Sequence, residues 1–240
     1  MRVCVVMPAY NEESGIAEFV GELSASLSAW ETQFVVVNDC SNDSTAAVAS
    51  SLSSVGIKIK VVTNEVNSGH GPSTVRALNL GLESGADLIV AIDGDGQFLG
   101  SDVAKLIGHL EGSDCDIVEG VRTQRGDPAY RRLVSLSTRL LVALKARRVP
   151  SDANTPLRVY RRASLERILG NLRADITIPN LVISTNTRRL GLGFEEITVR
   201  SIPRRGGDPS SISWGKSRRQ VPTRRFLRFC SRAVKDFWTA

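Results

Sequence analysis

Short apolar runs alternate with amphipathic stretches through the first half of the chain. The apolar runs predict five buried strands, which are VCVVM at 3–7, FVVV at 34–37, IKIKVV at 57–62, LIVAI at 88–92 and DIVEG at 116–120. The intervening stretches predict helices over about 13–27, from about 44, after Pro72 and after Asp102. This alternation favours an α/β fold with a mostly parallel central sheet that is flanked by helices.

The second half of the chain has a looser pattern. After an arginine-containing loop, residues 133–146 predict a helix, and PSDANTPLRVYRR at 150–162 predicts a loop followed by a strand. Helices are expected at 163–169 and 178–190, and a strand at 194–202. The Ser- and Gly-rich segment 206–215 has no periodic apolar face and predicts a mobile loop. We therefore expect one domain over 1–212, with halves 1–120 and 121–212, and a separate tail over 213–240.

The last segment of the chain predicts a basic amphipathic helix. Its apolar residues recur at helical spacing, and they are Phe226, Phe229, Cys230, Ala233, Val234 and Phe237. Such a helix can lie in the interface of an anionic membrane, with its arginines toward the headgroups. We expect peripheral membrane contact through 224–238, with the phenylalanines and Trp238 toward the acyl chains. Packing onto the body, or onto a second copy in a homo-oligomer, is the alternative.

The positive charge of the chain is concentrated in this tail. The 240 residues carry a net charge of +6, but residues 200–240 hold eleven Lys and Arg against two Asp, so this segment is at +9 and the first 199 residues are at −3. A nucleic-acid-binding protein would be expected to carry basic surface on its body too, which argues against that class. No apolar run approaches the roughly 20 residues of a membrane-spanning helix, and no signal-peptide core precedes the first strand. We expect a cytoplasmic protein, peripheral at the inner face of the membrane, whose four widely spaced cysteines are reduced.

Polar segments follow three of the predicted strands. They are PAYNE at 8–12, NDCSNDST at 38–45 and DGDGQ at 93–97. In an open parallel sheet, ligands bind beyond the carboxyl ends of the strands, so we expect these segments to converge on one site. Oxygen ligands of this kind suit Mg²⁺ or Mn²⁺ holding a phosphate-bearing substrate. Taken alone, Asp-Gly-Asp is also ordinary turn chemistry.

The combination of motifs is more specific than any one of them. MPAYNEE, VVNDCSNDST, NSGHGPSTVRALNLG, IVAIDGDGQF and DANTPLRVYRR occur in this order. Together they resemble the family-2 glycosyltransferases, which have the Rossmann-like GT-A fold, and most closely the branch of the polyprenyl-phosphate sugar synthases. The resemblance covers about residues 1–212. It implies a nucleotide-binding half over 1–120 and an acceptor-side half over 121–212.

The resemblance also implies roles for individual residues on the donor side. Pro8, Tyr10 and Glu12 match the family's base and ribose contacts, and Asp39 matches a carboxylate used on the nucleotide. Asp93, Asp95 and Gln97 match a pattern in which Asp95 and Gln97 hold the metal while Asp93 contacts nucleotide or sugar. Arg122 and Arg131 fall where this branch places arginines for phosphate groups, which arginine binds in a bidentate manner. Arg205 resembles part of a loop that closes over the donor.

The chain departs from the family pattern at several positions. Asn38 stands where the family usually has a carboxylate, which leaves the base preference open, and His70 is unusual and is interpreted as a hydrogen-bonding loop residue. Many relatives place the general base in a Glu-Asp pair well after the Asp-x-Asp motif, and no such pair stands between Asp152 and Asp175. Asp152 and Asp175 remain candidates for a general base, and a cap or a structural hydrogen-bonding group is the alternative role of each. An acid common in the lipid-phosphate branch aligns roughly with Asn180.

The implied activity is metal-dependent inverting transfer of a sugar from a UDP- or GDP-sugar. A phosphate acceptor is already ionised at neutral pH and needs no strong base, so the missing base favours a polyprenyl phosphate as acceptor. Two alternatives stay open, which are transfer to a glycan hydroxyl in cell-envelope polysaccharide synthesis and a catalytically weak sugar-nucleotide-binding subunit. A sugar-1-phosphate nucleotidyltransferase would need a glycine-rich loop after the first strand, and MPAYNEE has none.

Overall fold

The strands of the central sheet and the helices that flank it lie between Arg2 and Arg200. The computed structural model describes residues 1–123, 138, 141–146, 149–170, 172–206, 231–232 and 234–238. The strands are β1 (Arg2–Ala9), β2 (Glu31–Asn38), β3 (Ile59–Thr63), β4 (Leu88–Ala91), β5 (Ile117–Thr123), β6 (Arg158–Arg161) and β7 (Phe194–Arg200). The α-helices are α1 (Ile16–Ser26), α2 (Thr45–Ser51), α3 (His70–Glu83), α4 (Gly100–Glu111), α5 (Arg162–Leu169) and α6 (Pro179–Arg189), and a 3-10 turn covers Leu52–Val55.

These strands form a single seven-stranded sheet in the order β3-β2-β1-β4-β6-β5-β7. Strand β1 pairs in parallel with β2 and β4, β2 with β3, and β5 with β7, whereas β6 runs antiparallel to both of its neighbours. The predicted α/β class with a mostly parallel sheet is therefore confirmed.

Both faces of the sheet are covered because the strand side chains alternate between them. Val3, Val5 and Met7 of β1 pack in one apolar cluster with α1 and α4. Cys4 and Val6 pack in a second cluster with α3, α5 and α6. Successive side chains of a strand point to opposite faces of the sheet, and these strands are apolar at nearly every position. Helices therefore pack on both faces, which gives three layers: helices, sheet and helices.

The connections between strands determine where a ligand can bind. From β1 the chain adds β2 and β3 on one side of the sheet, and it then returns to place β4 on the other side of β1. The carboxyl ends of β1 and β4 therefore lie side by side at a topological switch point, with helices leading away in opposite directions. Crevices at such points are where open α/β sheets bind ligands.

The C-terminal segment packs on the body in part. Phe237 is fully buried in a third apolar cluster with Val75 and Leu181, and Asp236 accepts a hydrogen bond from the Thr177 backbone N–H at 3.0 Å. The prediction that Phe237 faces a membrane is therefore wrong. Trp238 is 57% exposed, and residues 207–230 of the predicted amphipathic helix and loop lie outside the described residues. Within the described residues, every helix is too short or too polar to cross a membrane.

A buried cluster of charges connects β5, β6 and β7 with α6. Glu119 on β5 is 1% exposed, and its carboxylate accepts hydrogen bonds from Arg158 Nε on β6 at 3.0 Å and from Arg188 Nη2 on α6 at 2.9 Å. Arg188 Nη2 also lies 3.1 Å from Glu196 Oε1 on β7. Each charge is paired within hydrogen-bonding distance, which is the condition under which buried ions are tolerated.

Loss of the Glu119 carboxylate should strongly destabilise the fold. Glu119→Ala leaves two buried arginines without their shared partner, so we expect the free energy of unfolding to fall by about 3–5 kcal/mol. Glu31→Ala is the control, because it removes the exposed partner of Lys58 and should cost less than about 1 kcal/mol. Urea denaturation followed by circular dichroism measures both values, and equal costs would contradict a structural role for the cluster.

Candidate active site

The DGDGQ segment is a tight turn that follows β4 and lies against the end of β1. The Gly94 N–H donates a hydrogen bond to the Pro8 carbonyl at 3.1 Å, and a Cβ at position 94 would lie 2.9 Å from that oxygen. Gly96 has φ +68°, a left-handed conformation that side chains rarely adopt. Both glycines are therefore needed for Asp93 and Asp95 to reach the switch point.

Asp95 is held in place by the turn itself. Its Oδ1 accepts a hydrogen bond from the Gln97 backbone N–H at 3.1 Å. Burial, together with the nearby charge of Asp93, raises the pKa of Asp95 from 3.8 to about 6. Asp93 Oδ1 lies 3.7 Å from Nε2 of His70. The two carboxylates are thus close enough to repel each other in a partly desolvated corner.

Glu12 is the third acid at this point. Its side chain is buried, and both oxygens contact the Arg204 guanidinium, with Nε 3.0 Å from Oε2. Burial raises the pKa of Glu12 from 4.5 to about 7, opposed by Arg204 and assisted by the charges of Asp95 and Asp93. The structure therefore brings Glu12, Asp93 and Asp95 together around the cation of Arg204.

Residues 201–206 cross the acidic turn after the end of β7. The Ile202 N–H donates to the Gln97 carbonyl at 3.0 Å, and the Arg205 N–H donates to the Asp95 carbonyl at 3.1 Å. The Arg205 guanidinium turns toward α1, where it contacts Glu18 and Glu22 and lies over the Phe19 ring.

Arg204, which sequence reasoning missed, is thus the arginine among the acids, whereas Arg205 is engaged with α1. The sequence shows two adjacent arginines at 204 and 205. Which of them contacts Glu12 depends on how this segment packs against the turn and α1.

The predicted nucleotide-side residues lie along the ends of β1 and β2. Pro8 is buried, and the Tyr10 hydroxyl accepts a hydrogen bond from Asn42 Nδ2 at 3.2 Å. Asp39 is 3% exposed, and its carboxylate accepts hydrogen bonds from Asn64 Nδ2 at 2.7 Å and from the Ser68 and Gly69 N–H groups at 2.8 Å. Asp39 therefore fixes the loop that leads into α3.

His70 lies at the first position of α3 rather than in the preceding loop. The helix begins two residues before Pro72, because Gly69 has φ +90° and lets the chain turn directly into it. Because the helix begins at His70, the ring of this residue lies near Asp93. The sequence alone, in which His70 has no paired Cys or His nearby, could not identify it as a neighbour of the acidic turn.

The candidate residues of the second half are paired with one another. Arg122 Nε lies 2.9 Å from Asp152 Oδ2, and Arg122 Nη2 donates to the Asn154 carbonyl at 3.0 Å. Asp175 is at the surface, where both of its oxygens accept hydrogen bonds from Arg173 at 3.0 and 2.8 Å. Arg131 lies outside the described residues.

The acidic turn has the chemistry of a partial cation site. Asp95 and the amide oxygen of Gln97 are the oxygen donors predicted for a metal, with Asp93 beside them. Within the described residues, no group of three or more His, Cys, Asp or Glu side chains forms a complete metal site. An incomplete shell of hard oxygen donors fits Mg²⁺ or Mn²⁺, which commonly keep positions for water and substrate phosphates.

Comparison with protein families identifies the chain. The family model "Glycosyl transferase family 2" matches residues 4–169. A UDP-N-acetylglucosamine–dolichyl-phosphate N-acetylglucosaminyltransferase of Methanococcus voltae is 25% identical over 219 residues, which cover 83% of this chain and 85% of the relative. An undecaprenyl-phosphate mannosyltransferase of Micrococcus luteus is 26% identical over 225 residues, covering 90% and 89%.

Solved structures agree at the level of the fold. Mannosyl-3-phosphoglycerate synthase from Rubrobacter xylanophilus superposes with a TM-score of 0.68 at 20% identity, over 100% of this chain and 73% of that one. Glucosyl-3-phosphoglycerate synthase from Mycobacterium tuberculosis, solved with Mn²⁺, UDP and glucosyl-3-phosphoglycerate, superposes with a TM-score of 0.65 at 18% identity, over 99% and 79%. Because the family model covers more than half of a chain with the GT-A fold, this protein belongs to glycosyltransferase family 2.

Proposed function

We propose that this glycosyltransferase is a metal-dependent inverting enzyme that moves a sugar from a UDP- or GDP-sugar to a polyprenyl phosphate. The observation that carries the proposal is the gathering of Glu12, Asp93 and Asp95 at the switch point. Burial and the neighbouring negative charges raise the pKa values of Glu12 and Asp95, and a cation bound among the carboxylates would relieve this. In this proposal residues 1–120 form the nucleotide-binding half and residues 121–212 form the acceptor half.

On the donor side, Asp95 and Gln97 would hold Mg²⁺ or Mn²⁺. The bound metal would neutralise charge on the departing diphosphate. Pro8, Tyr10 and Glu12 would contact base and ribose, and Asp93 would contact the sugar or nucleotide. Arg204 already balances the carboxylates, so we propose that it pairs with diphosphate oxygens when the donor is bound.

On the acceptor side, the state of the candidate bases supports a phosphate. Asp152 is held by Arg122, and Asp175 lies at the surface with Arg173. Neither is poised to take a proton from a hydroxyl group, whereas a phosphate monoester is already ionised near neutral pH and can attack the anomeric carbon directly. Two relatives carry lipid-phosphate acceptors in their names, which is in line with this assignment.

A lipid acceptor implies contact with a membrane, and we propose that the C-terminal segment provides it at the inner face. Val234 and Trp238 are exposed, next to the cations of Arg232 and Lys235. Aromatic and basic groups together favour the interface of an anionic bilayer. Phe237 would anchor the segment to the body, leaving the preceding arginines for the headgroups.

Asp95→Asn should abolish the metal-dependent part of nucleotide binding. For the wild type, UDP or GDP with Mn²⁺ should raise the melting temperature more than the nucleotide alone, because Asp95 would hold a metal that neutralises charge on the diphosphate. In the variant the extra rise should vanish, and transferase activity should fall by at least about 100-fold.

Differential scanning fluorimetry and a radiolabelled transfer assay measure these effects. Asp87→Asn is the matched control, since Asp87 immediately precedes the opposite end of β4 and pairs with Arg2. Full activity of Asp95→Asn would contradict the metal assignment.

The acidic site should make the metal-free protein less stable as the pH rises. Glu12 has a folded pKa raised from 4.5 to about 7. Between these values the unfolded chain has released a proton that the folded protein retains, so stability falls as the pH rises toward 7 and levels off above it. From pH 5 to 7.5 the melting temperature of the wild type should fall by about 3 °C more than that of Glu12→Gln, which corresponds to about 1 kcal/mol.

The measurement is a melting curve at each pH in the presence of a chelator. Glu31→Gln, at an exposed position, should retain the wild-type pH profile. Parallel profiles for the wild type and Glu12→Gln would disprove the raised pKa.

Neutralising the tail should weaken membrane binding. Removal of the whole tail is a poor test, because it would take Phe237 out of the core. Substitution of Arg224, Arg225 and Arg228 by glutamine should cost about 1 kcal/mol each, or about 100-fold in affinity for anionic vesicles. Vesicle co-sedimentation measures the loss, and a Lys58, Lys60 and Lys105 to glutamine triple variant is the control. Equal binding by the two triple variants would argue against the tail as the membrane contact.

A further inference from the structure

A narrow crevice lies between the end of β4 and the start of α6. Its lining includes two polar residues, Asp93 from the acidic turn and Asn180 from the first turn of α6. Most of the remaining lining is apolar, with Val6, Pro8, Leu78 and Pro156 among it, and there is room for little more than one water-sized group. The Thr74 hydroxyl, also in the lining, donates to the His70 carbonyl at 2.8 Å.

The orientation of the Asn180 amide is determined by Arg158. Asn180 Oδ1 accepts a hydrogen bond from Arg158 Nη1 at 3.2 Å, and the Asn180 carbonyl accepts one from Nη2 at 3.2 Å. A guanidinium group only donates hydrogen bonds, so the amide oxygen must face Arg158 and Nδ2 must face away. Arg158 is itself fully buried and is held by Glu119.

The Nδ2 group of Asn180 is available to a ligand. Asn180 is 6% exposed, yet among the hydrogen bonds of the described residues none uses Nδ2. Among the described residues, the fully buried side-chain atoms without a partner are Tyr160 Oη and Arg188 Nε, so Asn180 Nδ2 itself is not sealed in the core and can reach a ligand. Asp93 is similarly available, because its one close polar neighbour in the described part of the chain is His70 at 3.7 Å.

We infer that Asn180 is a specificity-determining residue whose Nδ2 donates a hydrogen bond to a hydroxyl group of the transferred sugar, while Asp93 accepts a hydrogen bond from the same hydroxyl. This inference rests on the proposed function. A hydroxyl is both donor and acceptor, which matches an amide N–H and a carboxylate that line the same crevice. A phosphate oxygen would be repelled by Asp93, and a cation would not bind the amide nitrogen.

The pair would select sugars by hydrogen bonding. A site that binds a substrate hydroxyl discriminates strongly against the analogue without it, because the buried polar groups are then left unpaired. The mostly apolar remainder of the crevice adds to this selection, since the one other polar side chain in its described lining, Thr74, already donates its hydroxyl proton to the His70 carbonyl. The affinities of sugar nucleotides that lack one hydroxyl group at a time would then identify the hydroxyl that the site recognises.

Asn180→Asp is the sharpest test. The variant keeps the size of the side chain and an oxygen for Arg158, but it replaces the donor toward the crevice by an acceptor. With Mn²⁺ present, we expect affinity for the preferred sugar nucleotide to fall about tenfold, or 1.4 kcal/mol. Affinity for the free nucleotide, UDP or GDP, should stay unchanged.

Isothermal titration calorimetry with UDP, GDP, UDP-glucose, UDP-N-acetylglucosamine and GDP-mannose measures both affinities. Asn186→Asp is the matched control, because it makes the same substitution on α6, where Asn186 Nδ2 donates to the Ile168 carbonyl at 3.5 Å. Asn180→Ala, which removes the donor without adding a charge, should reproduce the selective loss. A donor that lacks the recognised hydroxyl should bind the wild type about as weakly as it binds Asn180→Asp.

The outcomes separate this inference from the function on which it rests. If the wild type binds nucleotides and both Asn180 variants bind sugar nucleotides as tightly as the wild type, the inference is wrong and the proposed function stands. An equal loss of free nucleotide would make Asn180 a structural residue and would also overturn the inference. If no nucleotide binds the wild type with Mn²⁺, the proposed function fails and the inference fails with it.

Discussion

Repulsion among three carboxylates at the switch point is the constraint on which the site depends. Glu12 comes from the end of β1, and Asp93 and Asp95 come from the turn after β4, so the sheet order itself forces them together. In a partly desolvated corner such charges need a partner, and among the described residues Arg204 is the cation that pairs with Glu12. The glycines of the turn, the segment after β7 and the first turn of α3 are arranged around this concentration of charge.

The buried charge cluster gives the second half of the molecule a comparable organising centre. Glu119, Arg158 and Arg188 connect β5, β6 and α6, and the same Arg158 orients the amide of Asn180. A single set of ion pairs therefore stabilises the sheet and fixes a side chain in the crevice. Apolar residues could stabilise the interior equally well, but they could not determine which atom of Asn180 faces a ligand.

The two halves contribute different chemistry to the family-2 transferase. The first half supplies the acids near the ends of parallel strands, and Arg204 from the second half supplies the cation beside Glu12. The second half supplies Arg122 and Asp152 as a mutually neutralised pair and offers no poised base among its described residues. A chain organised in this way is better suited to an acceptor that arrives ionised than to one that must lose a proton.

The sequence by itself determined the positions of all seven strands, the α/β class, the family and the acidic turn, because apolar periodicity and contiguous motifs are local properties of a chain. Tertiary structure decided which partner each side chain takes. Arg204 rather than Arg205 meets the acids, His70 opens a helix beside Asp93, and Phe237 packs into the core instead of facing outward. These contacts join residues that are far apart in sequence and depend on how whole helices and strands pack. The local pattern of apolar and polar residues therefore could not predict them.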